Sequence, residues 1–161
     1  MKKIIRILGL TLVLGMSLAS CTKEVEILEP TLTGTYKYKS VIVSNPVDLD
    51  KDGLANIDLM KEKGKECTWD NTWQYQGNKA TLGGGETLCD PSEADSANVI
   101  VSVDYIYDKT SKTIRIIYSG GSSEVLENVK IGYTSNQKQS LSFELWDNDL
   151  SQFVTYNLVS I

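Results

Sequence analysis

The 161-residue chain has no histidine. That absence removes Ser-His-Asp and Cys-His nucleophilic catalysis and every histidine-ligated metal site. Basic residues are in the minority: setting aside Lys2, Lys3 and Arg6, 13 of the 16 Lys and Arg remain against 21 acids, a net charge near −8. A nucleic-acid partner is not expected, because its footprint is a basic patch and none appears. Long apolar runs are missing too. The longest, Ile7–Met16, contains one threonine and two glycines and falls short of the roughly 20 residues that span a bilayer.

What the N-terminus does contain is an address. Met1–Arg6 is short and basic, Ile7–Met16 is apolar, and Leu18-Ala19-Ser20 places small residues before Cys21. These are the three parts of a secretory signal, here residues 1–20. Leu18-Ala19-Ser20-Cys21 resembles the bacterial lipobox, which implies diacylglycerol on the Cys21 thiol, cleavage before Cys21 and N-acylation of its new amine. Each buried methylene contributes about 0.8 kcal/mol, so several acyl chains hold a domain at a membrane almost permanently. Cys21 is thus an anchor rather than a catalytic group. Residues 21–33 read as an acidic tether containing Glu24, Glu26 and Glu29. The segment resembles surface-export signals found after the lipidated cysteine in some Gram-negative anaerobes. The expected location is the outer membrane, with surface display possible through that signal.

Two further cysteines, Cys67 and Cys89, form an even pair in an exported chain and are expected to join as a disulfide. The loop closed would hold about 20 residues, worth on the order of 3 kcal/mol in the chain-entropy treatment.

From Gly34 to the end the pattern has period two. Val99, Val101, Val103, Tyr105 and Tyr107 alternate with mostly polar residues, as do Ile114, Ile116 and Tyr118, then Val129, Ile131 and Tyr133. Leu141, Phe143 and Leu145, and finally Val154, Tyr156 and Leu158, repeat the alternation. Such spacing makes strands with one buried face. Turn signals separate them, at Gly77-Asn78, Asp108–Lys112, Ser119–Ser122, Ser135–Lys138 and Asp147–Asp149. About eight strands are expected, near residues 35–43, 67–76, 78–83, 98–108, 112–118, 124–133, 140–147 and 152–160. Short turns between consecutive strands make an antiparallel up-and-down meander. The fold class is therefore all-β, one domain over residues 34–161. A barrel would abolish the sheet's edges, and a two-sheet β-sandwich is the alternative. Asn56 is positioned to cap one short helix, Ile57–Lys63, ended by Gly64.

The sharpest motif past Cys21 is Asp48-Leu49-Asp50-Lys51-Asp52-Gly53-Leu54-Ala55-Asn56-Ile57-Asp58. Acids at the first, third and fifth places followed by glycine match the opening of an EF-hand-type calcium loop. Asp48, Asp50 and Asp52 would supply carboxylates, Leu54 its carbonyl, and Asn56 a direct or water-mediated oxygen. The bidentate glutamate of the twelfth place is absent, since Leu59 stands there, and Asp58 is expected to close the shell. The same residues also describe an Asx-rich turn leading into a helix. Any calcium ion here would brace the loop rather than perform catalysis.

The lipobox, Gly34-Thr35-Tyr36, Pro46–Gly53, Asp58-Leu59, Cys67 and Asp70-Asn71 follow one another in an order that resembles the lipocalin-like lipoproteins of Gram-negative gut anaerobes. The resemblance covers most of the chain past Cys21, with Tyr36 where lipocalins carry tryptophan in Gly-x-Trp. It implies an eight-stranded barrel more than any activity. Trp69, Trp73 and Tyr75, with Trp146 beside a turn, are the candidate ligand-contacting residues, although aromatics in strands usually serve as core. No pair of acids has spacing that assigns a catalytic acid and base. The expected function is non-catalytic: a lipid-anchored module that binds a small apolar molecule or a glycan fragment. The alternative is a filled barrel that contacts an envelope protein.

Overall fold

The computed structural model describes residues 31–64, 66–85, 87 and 101–161. Within them the chain forms β1 (Gly34–Val47), β2 (Asn56–Asp58), a 3-10 turn (Leu59–Lys61) and the single-turn α1 (Glu66–Trp69). Then follow β3 (Thr72–Gln76), β4 (Lys79–Gly83), β5 (Val101–Asp108), β6 (Thr113–Ile117), β7 (Ser123–Tyr133), β8 (Gln139–Asp147) and β9 (Gln152–Ser160). All pairings are antiparallel, each strand from β3 to β9 lies beside the next, and β9 returns to β1. The sheet is a closed eight-stranded up-and-down barrel, with β2 as a short addition to β1. A sandwich would leave β1 and β9 unpaired edges, and here they share the register Tyr36↔Ser160 to Val43↔Val154.

β1 makes this closure possible. Its first residues pair with β3, from Gly34↔Tyr75 to Lys37↔Thr72, while its later half pairs with β2 on that side and with β9 on the other. A register shift between Tyr38 and Ser40 bends the strand, as an extra residue in a ladder does. The bulge changes parity, so Tyr36 and Tyr38 point inward before it and Val41 and Val43 after it. β7 bends similarly at Asn128, whose φ is +50°. Past Val43 the ladder is prolonged by a side chain. The Gln152 amide accepts from Asn45 N at 2.9 Å and donates to Asn45 O at 3.2 Å, replacing a peptide group in a buried position.

The registers place the start of β1, the Gly77-Asn78 turn, residues 109–112 and residues 134–138 at one end of the barrel. The interior at that N-terminal end is filled, beneath a surface recess of about 450 Å³ between residues 31–33, the Gly77-Asn78 turn and Lys109. Tyr75 meets Tyr36 and Tyr105 edge to face, at centroid separations of 5.6 and 5.3 Å, and each such pair adds about 0.5–1.5 kcal/mol beyond its area. Leu32, Ile114, Val129, Leu141 and Leu158 pack around them. The Tyr36 hydroxyl donates to Gln139, whose amide donates to Thr31 O at 3.0 Å. Opposite, under the Asp-rich loop, a smaller cluster joins Val41, Val43, Leu59 and Val154.

Two expectations change. The helix over Ile57–Lys63 is a 3-10 turn of three residues, capped by the Asp58 carboxylate on Met60 N and not by Asn56. Asn56 instead sits in β2, where its side-chain amide binds Leu54 O and Glu62. The strand expected over 67–76 begins only at Thr72, because Glu66–Trp69 closes a helical turn with Asp70 N on Glu66 O at 3.0 Å. Trp69 and Trp73, four apart, share a side of both a strand and a helix, so spacing alone did not separate the two.

Candidate functional site

Between the filled end and the loop cluster lies a cavity of about 240 Å³. Strand parity builds it: Leu82 from β4, Val101 and Val103 from β5, Ile116 from β6 and Leu126 from β7 supply aliphatic wall. Apart from Leu145 and Glu124, the remaining wall is aromatic. Phe143 and Tyr156 stack at 5.1 Å, Tyr156 lies 6.2 Å from Tyr38, and Trp73 Nε1 donates to the Tyr38 hydroxyl at 2.8 Å. Burial, then Tyr38, Asp147 and Glu124, push the Tyr156 hydroxyl up to about 12, and burial also raises Tyr38 against the Trp73 hydrogen bond. Both phenols therefore stay neutral near pH 7 and offer hydrogen-bonding oxygens on a mostly apolar surface.

Of the expected ligand residues, only Trp73 lines this cavity. Tyr75, 2% exposed, belongs to the packed tyrosine cluster at the filled end. Trp69 stands on α1 edge to face with Tyr38 at 5.9 Å, and its buried Nε1 has no partner among the described residues. Trp146 faces outward, 48% exposed, against Phe153 on the neighbouring strand. Tyr38, Glu124, Phe143 and Tyr156 were not singled out from the sequence. Their parity was readable, yet only closure shows that those inward positions surround space.

The Asp-rich loop is knitted by its own carboxylates. Asp48 accepts from Asp52 N at 3.1 Å and Gly53 N at 2.9 Å, Asp50 from Asp52 N and Lys63 N at 3.0 Å, and Asp52 from Leu54 N at 2.9 Å. Lys51 and Gly53 take left-handed conformations, at φ +59° and +90°, which glycine adopts without strain. The 3-10 turn then carries Glu62 beneath the loop. Glu62 is 1% exposed, and its carboxylate accepts from Leu49 N at 2.7 Å, Asp50 N at 3.2 Å and Asn56 Nδ2 at 2.6 Å. These hydrogen bonds, that of Asn56 foremost, hold the Glu62 carboxyl below its ordinary range, and the Lys63 amide chiefly does so for Asp50.

Asp48, Asp50 and Glu62 each bring one carboxylate oxygen within 4.8 Å of the others. Hard oxygens so placed suit a calcium ion in kind. Among the loop's acids, Asp52 and Asp58 are outside this group. The Leu54 carbonyl accepts from the Asn56 amide, and Asp58 is turned away onto Val41 N and Met60 N, at 3.1 and 3.2 Å. The acid that completes the group is thus Glu62, not Asp58. Fourteen residues past Asp48, it lies beyond the reach of any loop motif.

Cys67 is buried and disulfide-bonded, while Cys89 and Cys21 lie outside the described residues. Beside it, Asn71 accepts from Gly85 N at 2.8 Å and Asp70 from Thr87 N at 2.7 Å. A Cβ on Gly85 would fall 1.8 Å from the Asp70 carboxylate, which any larger residue there would have to displace.

Comparison with protein-family models, curated proteins and solved structures finds no match to this chain. Among the described residues no helix is long and apolar enough to cross a membrane.

A carboxyl whose pKa is lowered by folding stabilises the fold above its unfolded value, here about 4.5 for Glu62. That contribution fades as pH falls through the lower folded value. Glu62→Gln is therefore expected to lower the melting temperature at pH 7 and to flatten its fall between pH 5 and 3, roughly the linkage window for such a carboxyl. Calorimetry across that range checks it, and parallel acid limbs for both proteins would refute it.

Proposed function

We propose that this protein is a non-catalytic binding module of the bacterial cell envelope, lipocalin-like in kinship and anchored in the outer membrane by acyl chains on Cys21. The observation that carries the reading is the 240 Å³ cavity inside the closed barrel, walled by aliphatic and aromatic side chains. Apolar pockets with few polar groups are the usual form of small-molecule sites. A cavity of about 150 Å³ takes a benzene ring, so about ten non-hydrogen atoms of a small apolar molecule match this one. Its narrowness favours that class over a glycan fragment.

On this reading the anchor also has a sense. The tether enters at the filled end, where residues 31–33 lead into β1 beside the tyrosine cluster. A barrel held by Cys21 would therefore turn its opposite end, with the Asp-rich loop, away from the membrane. Calcium at Asp48, Asp50 and Glu62 would brace that rim, and a Cys67–Cys89 bond would tie the segment before β5.

Three outcomes are expected. Protein taken from its own host should carry a small apolar molecule in native mass spectrometry. Leu126→Trp, which fills the cavity at a cost of about 1–3 kcal/mol, should release it, and a bare chain in both samples would count against the reading. Calcium at about a hundred times its dissociation constant should stabilise the fold by about 2.7 kcal/mol, reversed by EDTA and lost in Asp50→Ala; a melting temperature indifferent to EDTA removes the ion. Finally, Cys21→Ser should abolish palmitate incorporation and leave unprocessed precursor, whereas unchanged labelling would exclude Cys21 as the anchor.

A further inference from the structure

Among the described residues the cavity wall holds one charged group. Glu124 is the second residue of β7, opposite Ile116 and two before the buried Leu126, so strand parity aims its side chain inward. The Tyr118 hydroxyl donates to its Oε2 at 3.1 Å and holds the carboxylate against the wall. Among the described residues no lysine or arginine lines the cavity. On the next inter-strand position Arg115 pairs with Val125, which puts it on the outer face, exposed.

The same cavity is lined by a run of rings: Trp73 is bonded to Tyr38, Tyr38 borders Tyr156, and Tyr156 stacks on Phe143. Ring faces attract cations, most strongly when water is excluded. A carboxylate in weakly polar surroundings binds an ammonium by a charge-assisted hydrogen bond and repels an anion. Both wall components therefore select the same sign of ligand.

We propose that this cavity selects small aromatic or aliphatic amines, with the ammonium held between Glu124 and the ring faces and the apolar body against Leu126 and Val103. The proposal rests on the reading of the barrel as a binding module. A carboxylic acid of the same size, head inward, would meet Glu124 with no cation to offset it. A neutral analogue would gain the apolar contacts alone.

Isothermal titration calorimetry on the purified chain at neutral pH decides it, with 2-phenylethylamine, 2-phenylethanol and 3-phenylpropanoate as probes. The amine should bind about tenfold tighter than the alcohol, and the propanoate weakest. Glu124→Gln should bring the amine to within about twofold of the alcohol, with alcohol binding retained as the sign of an intact cavity. Glu124→Lys should reverse the order of amine and propanoate. An amine that binds no tighter than the alcohol, or a preference that survives Glu124→Gln, overturns the proposal and leaves the cavity as a site for neutral molecules. Failure of all three probes to bind overturns the binding-module reading and this proposal with it.

Discussion

The pairing of β1 with β9 is the constraint on which everything else rests. It is the longest-range join in the sheet, from Tyr36↔Ser160 to Val43↔Val154, and it turns a meander with two open edges into a barrel with none. The bulge after Tyr38 lets β1 reach β3, β2 and β9 while keeping apolar side chains inward on both sides of the shift. Gln152 extends the join by one residue pair. Without closure the inward faces would have no common interior, and neither a packed end nor a cavity would exist.

Closure then divides the interior by side-chain size. At the N-terminal end Tyr36, Tyr75 and Tyr105 meet edge to face and leave no space between them. Higher up, Leu82, Val101, Val103 and Ile116 present smaller groups, while Tyr38, Trp73 and Tyr156 bind or stack on one another along the wall. The hollow is what those smaller groups leave unfilled. Glu124 sits inside it at a position where the strand pattern alternates Glu124 with Leu126, so a charge occupies a place that packing alone would have given to an apolar residue.

The Asp-rich loop is gathered around one buried residue. Glu62 lies buried under it and binds the amides of Leu49 and Asp50 and the side chain of Asn56. Around that carboxylate, Asp48, Asp50 and Asp52 satisfy the backbone of a left-handed bend. The loop is thus both an Asx-type network and a gathering of hard oxygens, and the two descriptions share the same atoms.

Alternation along the chain determined the all-β class, nearly all the strands and, away from the bulges in β1 and β7, most of the side chains that face inward, because the two-residue period is a local property of the backbone. It equally determined the Asp-x-Asp-x-Asp-Gly bend, whose hydrogen bonds span five residues or fewer. Local patterns failed where two periods coincide, at Trp69 and Trp73, and where a 3-10 turn replaced the helix expected over Ile57–Lys63. Tertiary structure alone decided that β9 closes on β1, that Tyr75 is packed while Trp73 lines space, and that Glu62 rather than Asp58 joins Asp48 and Asp50. The physical reason is common to all three. Whether an inward side chain meets another, or meets nothing, depends on residues more than a hundred positions away, brought near by hydrogen bonds that no local window of sequence contains.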